Sequence, residues 1–363
     1  MQLRRIDLKQ FRCFKKLNLC FEKQVVLITG PNGSGKTTIL EALHYLGYLR
    51  SFRSPTPQNL VNYGQNSFFL KVALEDDVAH ETEIQAGFSE GKRLVRVNKR
   101  QVRSYKELID HYRVVTITED DLDIIKGGPS IRRAFIDQVV LHKDPEFIQV
   151  FRKYRNTLEN RNTLLKQRSS DEASLNHWTE LLWKTSAIIQ QRRIETLGAL
   201  VVSTNKLLKD NFNQKLSITF SYNPKITCDQ KCYENFIENH CSVFVNEQRY
   251  GRSLFGTHLD DISIEFQEKK SKIYASRGQQ KLTVLLLKIA QLQNLTALRG
   301  PCLLLLDDFM TDFDHERGSQ FINIIVGMGT QAIFVSPVKN GIFEEMLLKR
   351  GAQLIELNSN DQD

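Results

Sequence analysis

The sequence holds 363 residues, 41% hydrophobic and 25% charged, with a formal net charge of +8. That length gives room for roughly two or three domains and a sizeable core, and the composition excludes fibrous and disordered classes. No apolar run reaches membrane-span length and the start, MQLRRIDLKQF, lacks a signal-peptide core, so a cytoplasmic protein is expected; the positive surplus favours an anionic partner such as nucleic acid.

The first 30 residues read as two or three strands. Ile6 and Leu8 alternate with charges, and Val25 to Ile28 form a continuous apolar run suited to a central strand. Residues 30–38, GPNGSGKTT, follow at once. Glycines at a strand-to-helix handover let backbone N–H groups surround an anion, and the helix start adds free donors. The spacing Gly30-x4-Gly35-Lys36-Thr37 is that of a P-loop. Gly30, Pro31, Asn32, Gly33, Ser34 and Gly35 form the cradle, with Lys36 aimed at the β- and γ-phosphates, Thr37 at Mg²⁺, and Thr38 also binding the nucleotide. A helix is predicted from Lys36 to about Tyr48.

SFRSPTP is a loop by composition. Residues 67–103 read as three strand stretches with a hairpin turn at Asn98-Lys99. From Gly91 to Lys106 the cations Lys92, Arg93, Arg96, Lys99, Arg100, Arg103 and Lys106 meet no acid. Such a hairpin can track DNA phosphates without reading sequence, or it can be an edge that charge protects from aggregation. Residues 144–209 carry helical spacing and few breakers, and predict an arm of two or three long helices. Residues 152–193 hold nine cations and four acids, net +5. LSITFSY, 216–222, returns the chain to strand. Cys228, Cys232, His240 and Cys241 have no spacing typical of zinc. The last residues, NSNDQD, are a polar tail expected to be disordered.

Two later segments complete a nucleotide site. In YASRGQQKL, Ser276 and the N–H groups after it, from Arg277, Gly278 and Gln279, make a second anion-binding helix start. In PCLLLLDD, a strand buried on both faces ends in Asp307, expected on the Mg²⁺ shell, and Asp308, expected to polarise the attacking water. Two cradles for one phosphate group make sense if the second serves a neighbour's ATP. Each nucleotide is then held between one P-loop and the other copy's Ser276, in an ATP-dependent homodimer.

GPNGSGKT, SRGQQ and LLLLDD, in this order, resemble the Walker A, signature and Walker B motifs of an ABC-type ATPase head. Asp314 in MTDFD falls where such heads place an aspartate at the dimer interface. LKQFRCF, SFR at 51–53, DLDIIKGGPSIRRAFID, GTHLDD and SRGQQKL resemble segments of the RecF family, related to SMC proteins, across nearly the whole chain. Thr257, Leu259 and Glu119 depart from that pattern, replacing a proline, an arginine and a proline, and Ser336-Pro337 stands where threonines are frequent. The resemblance implies an α/β fold: a mixed-sheet ATPase head, residues 1–143 and 210–363, with a helical arm, 144–209, inserted between Walker A and signature. It implies slow, DNA-stimulated ATP hydrolysis, and partnership with RecR, with RecO beside it, in loading RecA at single-strand gaps or junctions. An SMC-like DNA tether and, further off, a transporter ATPase subunit are the rival readings.

Overall fold

A computed structural model describes residues 1–76, 79–167, 171–212, 215–229, 232–309, 313–336 and 341–358, with the side chains of 105 and 342 left aside. Contacts divide the chain into two compact units: Met1–Asp121, Leu207–Gln214 and Leu285–Asp363 form unit 1, and Leu122–Lys206 and Lys215–Val284 form unit 2. Unit 2 thus takes in most of the predicted arm together with 122–143 and 215–284.

In chain order the elements are β1 (Gln2–Phe11), β2 (Phe14–Cys20), β3 (Val25–Thr29), α1 (Lys36–Tyr48), β4 (Ser67–Glu75), β5 (Glu81–Ser89), β6 (Lys92–Val97), β7 (Arg100–Gln101), α2 (Tyr105–His111) and β8 (Val114–Ile117). There follow α3 (Asp123–Lys126), α4 (Pro129–Lys143), α5 (Ile148–Gln167), α6 (Glu172–Asn211), β9 (Ile218–Asn223), α7 (Tyr233–Asn239), α8 (Cys241–Tyr250), β10 (Asp261–Phe266), β11 (Lys269–Lys270), α9 (Ser271–Tyr274) and α10 (Arg277–Arg299). Unit 1 closes with β12 (Leu303–Asp307), α11 (His315–Gly327), β13 (Gln331–Val335), α12 (Ile342–Lys349) and β14 (Gln353–Glu356).

Unit 1 contains two sheets. The first, β2-β1-β4-β5-β6-β7, is antiparallel throughout. Its strands alternate buried and exposed residues, so one face packs inward and the other meets solvent. Asn98 and Lys99 take φ of 48° and 68°, the left-handed pair that a tight hairpin between β6 and β7 requires. The second sheet, β14-β3-β13-β12-β8, is parallel. Every residue of β3, β8 and β13 is buried, as the apolar runs VVLIT and QAIFV demand. Ile6, Leu8, Phe11, Val26, Ile28, Leu43, Leu70, Val72, Leu305 and Ile333 belong to one core in which α1 is embedded.

Unit 2 carries the three-stranded antiparallel sheet β11-β10-β9 and the helices around it. Its core gathers Val140, Phe147, Leu182, Trp183, Ile189, Phe236 and Phe255. A buried ion pair, Arg161 Nη2 to Glu247 Oε2 at 2.6 Å, ties α5 to α8, and Arg161 also donates to Thr179 and Ser253. The GTHLDD segment is anchored here. Buried Asp260 accepts from Gln190 and Tyr222, and Thr257 O accepts from Arg193, while Leu259 stays exposed.

Candidate functional site

The site stands at the C-terminal edge of the parallel sheet. Strand register places Asp307 beside Val335 and Val335 beside Ile28, so β12, β13 and β3 end side by side. Parallel strands deliver their following turns and helix starts to one edge, which is where phosphates bind in such sheets. Loop 30–35 joins β3 to α1 there. Gly33 has φ +85° and open space where a Cβ would point. Gly35 has φ +96°, and a Cβ on it would lie 2.3 Å from Phe14 Cζ. Glycine is therefore required twice, by backbone and by neighbour.

Lys36 is buried, and its Nζ donates to Gly30 O at 2.8 Å and Pro31 O at 2.9 Å. Burial lowers its pKa against the raising influence of Asp308 and Asp307. Thr37 Oγ1 donates to Asp307 Oδ1 at 2.9 Å. Burial pushes the Asp307 carboxyl up to about 6, opposed by the Thr37 bond. Asp308 follows with φ 49° and donates its N–H to Val335 O at 3.2 Å. Inside the loop the Ser34 hydroxyl is buried without a partner among the described residues.

These features fit a phosphate and a hard cation. A buried ammonium stands over the loop, an orphan hydroxyl lies within it, and a hydroxyl and a carboxylate meet beside it. Mg²⁺ takes only one or two carboxylates from a protein and fills its shell with phosphate oxygens and water. Thr37 and Asp307 offer that limited set.

Of the remaining predicted residues, Ser276 and Asp314 have local partners. Ser276, exposed, caps α10: its Oγ accepts from Gln279 N at 3.3 Å while its own N–H donates to Gln279 Oε1 at 2.8 Å, a reciprocal capping box. Arg277 is exposed, Gly278 half-buried, and Ile273 and Tyr274 just before them are 67% and 66% exposed. Asp314 caps α11 through Arg317 N at 2.8 Å; residues 310–312 of its segment lie outside the described ones. The hairpin cations divide. Lys92 and Arg96 share the outward face of β6, Arg93 sits 5.5 Å from the Tyr45 ring, Lys99 and Arg100 occupy the exposed turn, and Arg103 lies exposed ahead of α2. Pro337 and the tail 359–363 lie outside the described residues.

One cluster beside the loop has no counterpart in the motif reading. Glu41 on α1 is 0% exposed and accepts from Arg12 Nε at 2.9 Å and Nη2 at 2.7 Å, and from Ser51 Oγ, with Arg53 at 3.8 Å. Arg12 also donates to Asn59 O and Leu60 O, and its carbonyl accepts from Asn62 Nδ2. A lone acid in the apolar run ILEALHYL was the available signal, since such a residue needs a cation.

Comparisons with known proteins agree with this geometry. The model of the RecF/RecN/SMC N terminal domain matches residues 2–362. The DNA replication and repair protein RecF of Lactobacillus johnsonii is 30% identical over 358 residues, covering 96% of this chain and 95% of its own. A solved structure of the recombination mediator protein RecF-ATP in the RecFOR pathway superposes with TM-score 0.83 at 28% identity, covering 93% of this chain and 92% of that one. The Smc head domain of Pyrococcus furiosus, at 16% identity and TM-score 0.56 over 99% and 94% of the two chains, shares the fold. Matched along nearly its whole length, with a P-loop and an acidic β12 end meeting at one sheet edge, the chain belongs to the RecF family within the RecF/RecN/SMC group and has the mixed α/β fold of its ABC-type ATPase heads.

Proposed function

We propose that this chain is an ATP-dependent, DNA-binding recombination mediator whose heads pair around ATP. The observation that carries the ATP site is the Thr37–Asp307 bond at 2.9 Å, which brings the ends of Walker A and Walker B together. Lys36 leaves its two loop carbonyls for the β- and γ-phosphates and neutralises charge on the transferred group. Backbone N–H groups of 33–38 and the Ser34 hydroxyl hold the phosphate chain. Thr37 and Asp307 would hold Mg²⁺, which would supply charge neutralisation on the phosphates when bound. Asp308 orients the attacking water, and turnover is slow and DNA-stimulated.

Ser276, with Arg277, Gly278 and Gln279, caps the ATP of a second copy, and Asp314 lies at that same junction. The exposed apolar pair Ile273 and Tyr274 beside Ser276 supports a partner surface. DNA is bound through its backbone by the basic hairpin, and the release step is hydrolysis. The repair and recombination-mediator names of the relatives, and their RecFOR pathway, support a role in DNA repair with RecR and RecO; in this proposal that role is the delivery of RecA at gaps. Equilibrium binding of a fluorescent ATP analogue tests the site. The parent binds more tightly with Mg²⁺ present, and Lys36→Met loses about tenfold to a hundredfold, the worth of a charge-assisted contact. Equal binding by the two proteins would remove the loop as the cradle.

A further inference from the structure

The solvent face of the antiparallel sheet has two unlike ends. Register sets its rows. Asn18, Asp7, Lys71, Gln85 and Arg96 lie across five strands in one row, and Lys16, Lys9, Phe69, Gly87 and Leu94 in the next. Beyond them come Ser67, Ser89 and Lys92. Toward one end charges are matched: Arg5 binds Asp7 and Lys71 binds Glu83. Toward the other end the last two rows contain no acid, and Glu90 stands beyond them in the β5–β6 turn. Lys9, Lys16 and Lys92 are exposed there, Arg96 is exposed in the adjoining row, and none of the four has an ion-pair partner among the described residues.

Aromatic surface lies among these cations. Phe69 is half-buried, its ring lying over Gly87, whose missing side chain leaves Cδ2 4.0 Å from where a Cβ would stand. Leu94 beside it is 39% exposed. Tyr63 is 100% exposed, two residues beyond Val61, which bridges Phe11 at the end of β1. Its turn is not loose: Asn62 N donates to Gln10 O at 2.8 Å, Asn62 Nδ2 to Arg12 O at 2.7 Å, and Gln65 N to Asn62 O at 3.0 Å. A firmly held loop that projects a whole tyrosine into water serves a partner rather than the core.

We propose that this acid-free end of the sheet face, with Lys9, Lys16 and Lys92 around Phe69, Arg96 in the adjoining row and Tyr63 at its border, is a platform for single-stranded nucleic acid. The charge calls for a polyanion, and the row from Lys16 to Leu94 runs about 19 Å at ordinary strand spacing. Aromatics choose between duplex and single strand. A duplex offers phosphates but keeps its base faces stacked, whereas an unpaired strand can lay bases on exposed rings while cations follow its phosphates. The platform differs from the hairpin turn at Lys99 and Arg100, which carries no aromatic. It names the form of DNA taken by the reading above and rests on that reading. It also adjoins the P-loop in structure. The Gln10–Phe14 turn that borders the platform places Phe14 against Gly35 and joins Arg12 to Glu41 on α1.

Fluorescence anisotropy with a labelled oligothymidine and with a duplex of equal length tests it, at several salt concentrations. The parent is expected to bind both. Tyr63→Ala weakens the single strand about tenfold, the loss of one stacked base, and leaves the duplex within twofold; Tyr63→Phe retains single-strand binding. Lys9→Ala/Lys16→Ala lowers the salt slope for the single strand by about 1.4, the share of two phosphate contacts. Equal losses on both DNAs, or none on the single strand, would overturn the platform while leaving DNA binding in place. Failure of the parent to bind either DNA would instead remove the DNA-binding reading beneath it.

Discussion

Asp307 sits where its charge is poorly tolerated. Burial raises its pKa from 3.8 to about 6, so between those values the native state holds a proton that the unfolded chain has released. Its contribution to stability is therefore present below 3.8 and lost as pH rises through about 6. Active sites commonly keep such groups at the expense of stability. Asp307→Asn removes the ionisation and leaves Thr37 an oxygen to bond. Thermal unfolding without nucleotide should show the variant above the parent at pH 7, with the gap closing toward pH 4, while Mg²⁺-dependent ATP affinity falls. A gap that does not change with pH would contradict the burial argument. At this scale the sequence was most informative where chemistry is local: Gly30 to Thr38 is one contiguous motif, and the LLLL run marked where Asp307 emerges. Arg12 and Glu41 escaped because they are 29 residues apart and only the packing of β1 against α1 brings them together.

Among elements, the turn between β1 and β2 holds α1 and the loop after it in one hydrogen-bonded set. Arg12→Ala strands a fully buried carboxylate, since Arg53 at 3.8 Å is only a distant substitute. The expected cost is about 3–5 kcal/mol in urea unfolding, the usual result of deleting one member of a buried pair. A loss under about 1 kcal/mol would class the pair with surface bridges. Element identities were legible in period and punctuation. Alternation marked β4 to β6, Asn98-Lys99 marked the turn from β6 to β7, and α1 spans Lys36–Tyr48 as its spacing predicts. The region 144–209 resolves into α5 and α6, the latter 40 residues long. Register was not legible, and register decides which hairpin cations face water. Arg93 is level with Phe88 on the inward face, so its guanidinium lies over Tyr45 instead of beside Lys92 and Arg96. Sheet order was hidden too, because β3 and β12 meet through β13, which follows both in sequence.

For the whole molecule, the P-loop belongs to unit 1 and Ser276 to unit 2, and the family places the chain among ATPase heads. In the proposed function ATP joins two copies, gripped by the Lys36 loop of one and capped by the Ser276 turn of the other. An exposed capping box flanked by solvent-facing Ile273 and Tyr274 is the surface such a junction needs. Sedimentation velocity with and without ATP–Mg²⁺ tests it most directly, on the parent, Lys36→Met and Ser276→Arg. The expected result is a dimer for the parent with ATP–Mg²⁺ alone, a monomer for Lys36→Met throughout, and a monomer for Ser276→Arg even when nucleotide is bound. A parent that stays monomeric at saturating ATP–Mg²⁺, or a Ser276→Arg protein that dimerises as the parent does, would contradict it.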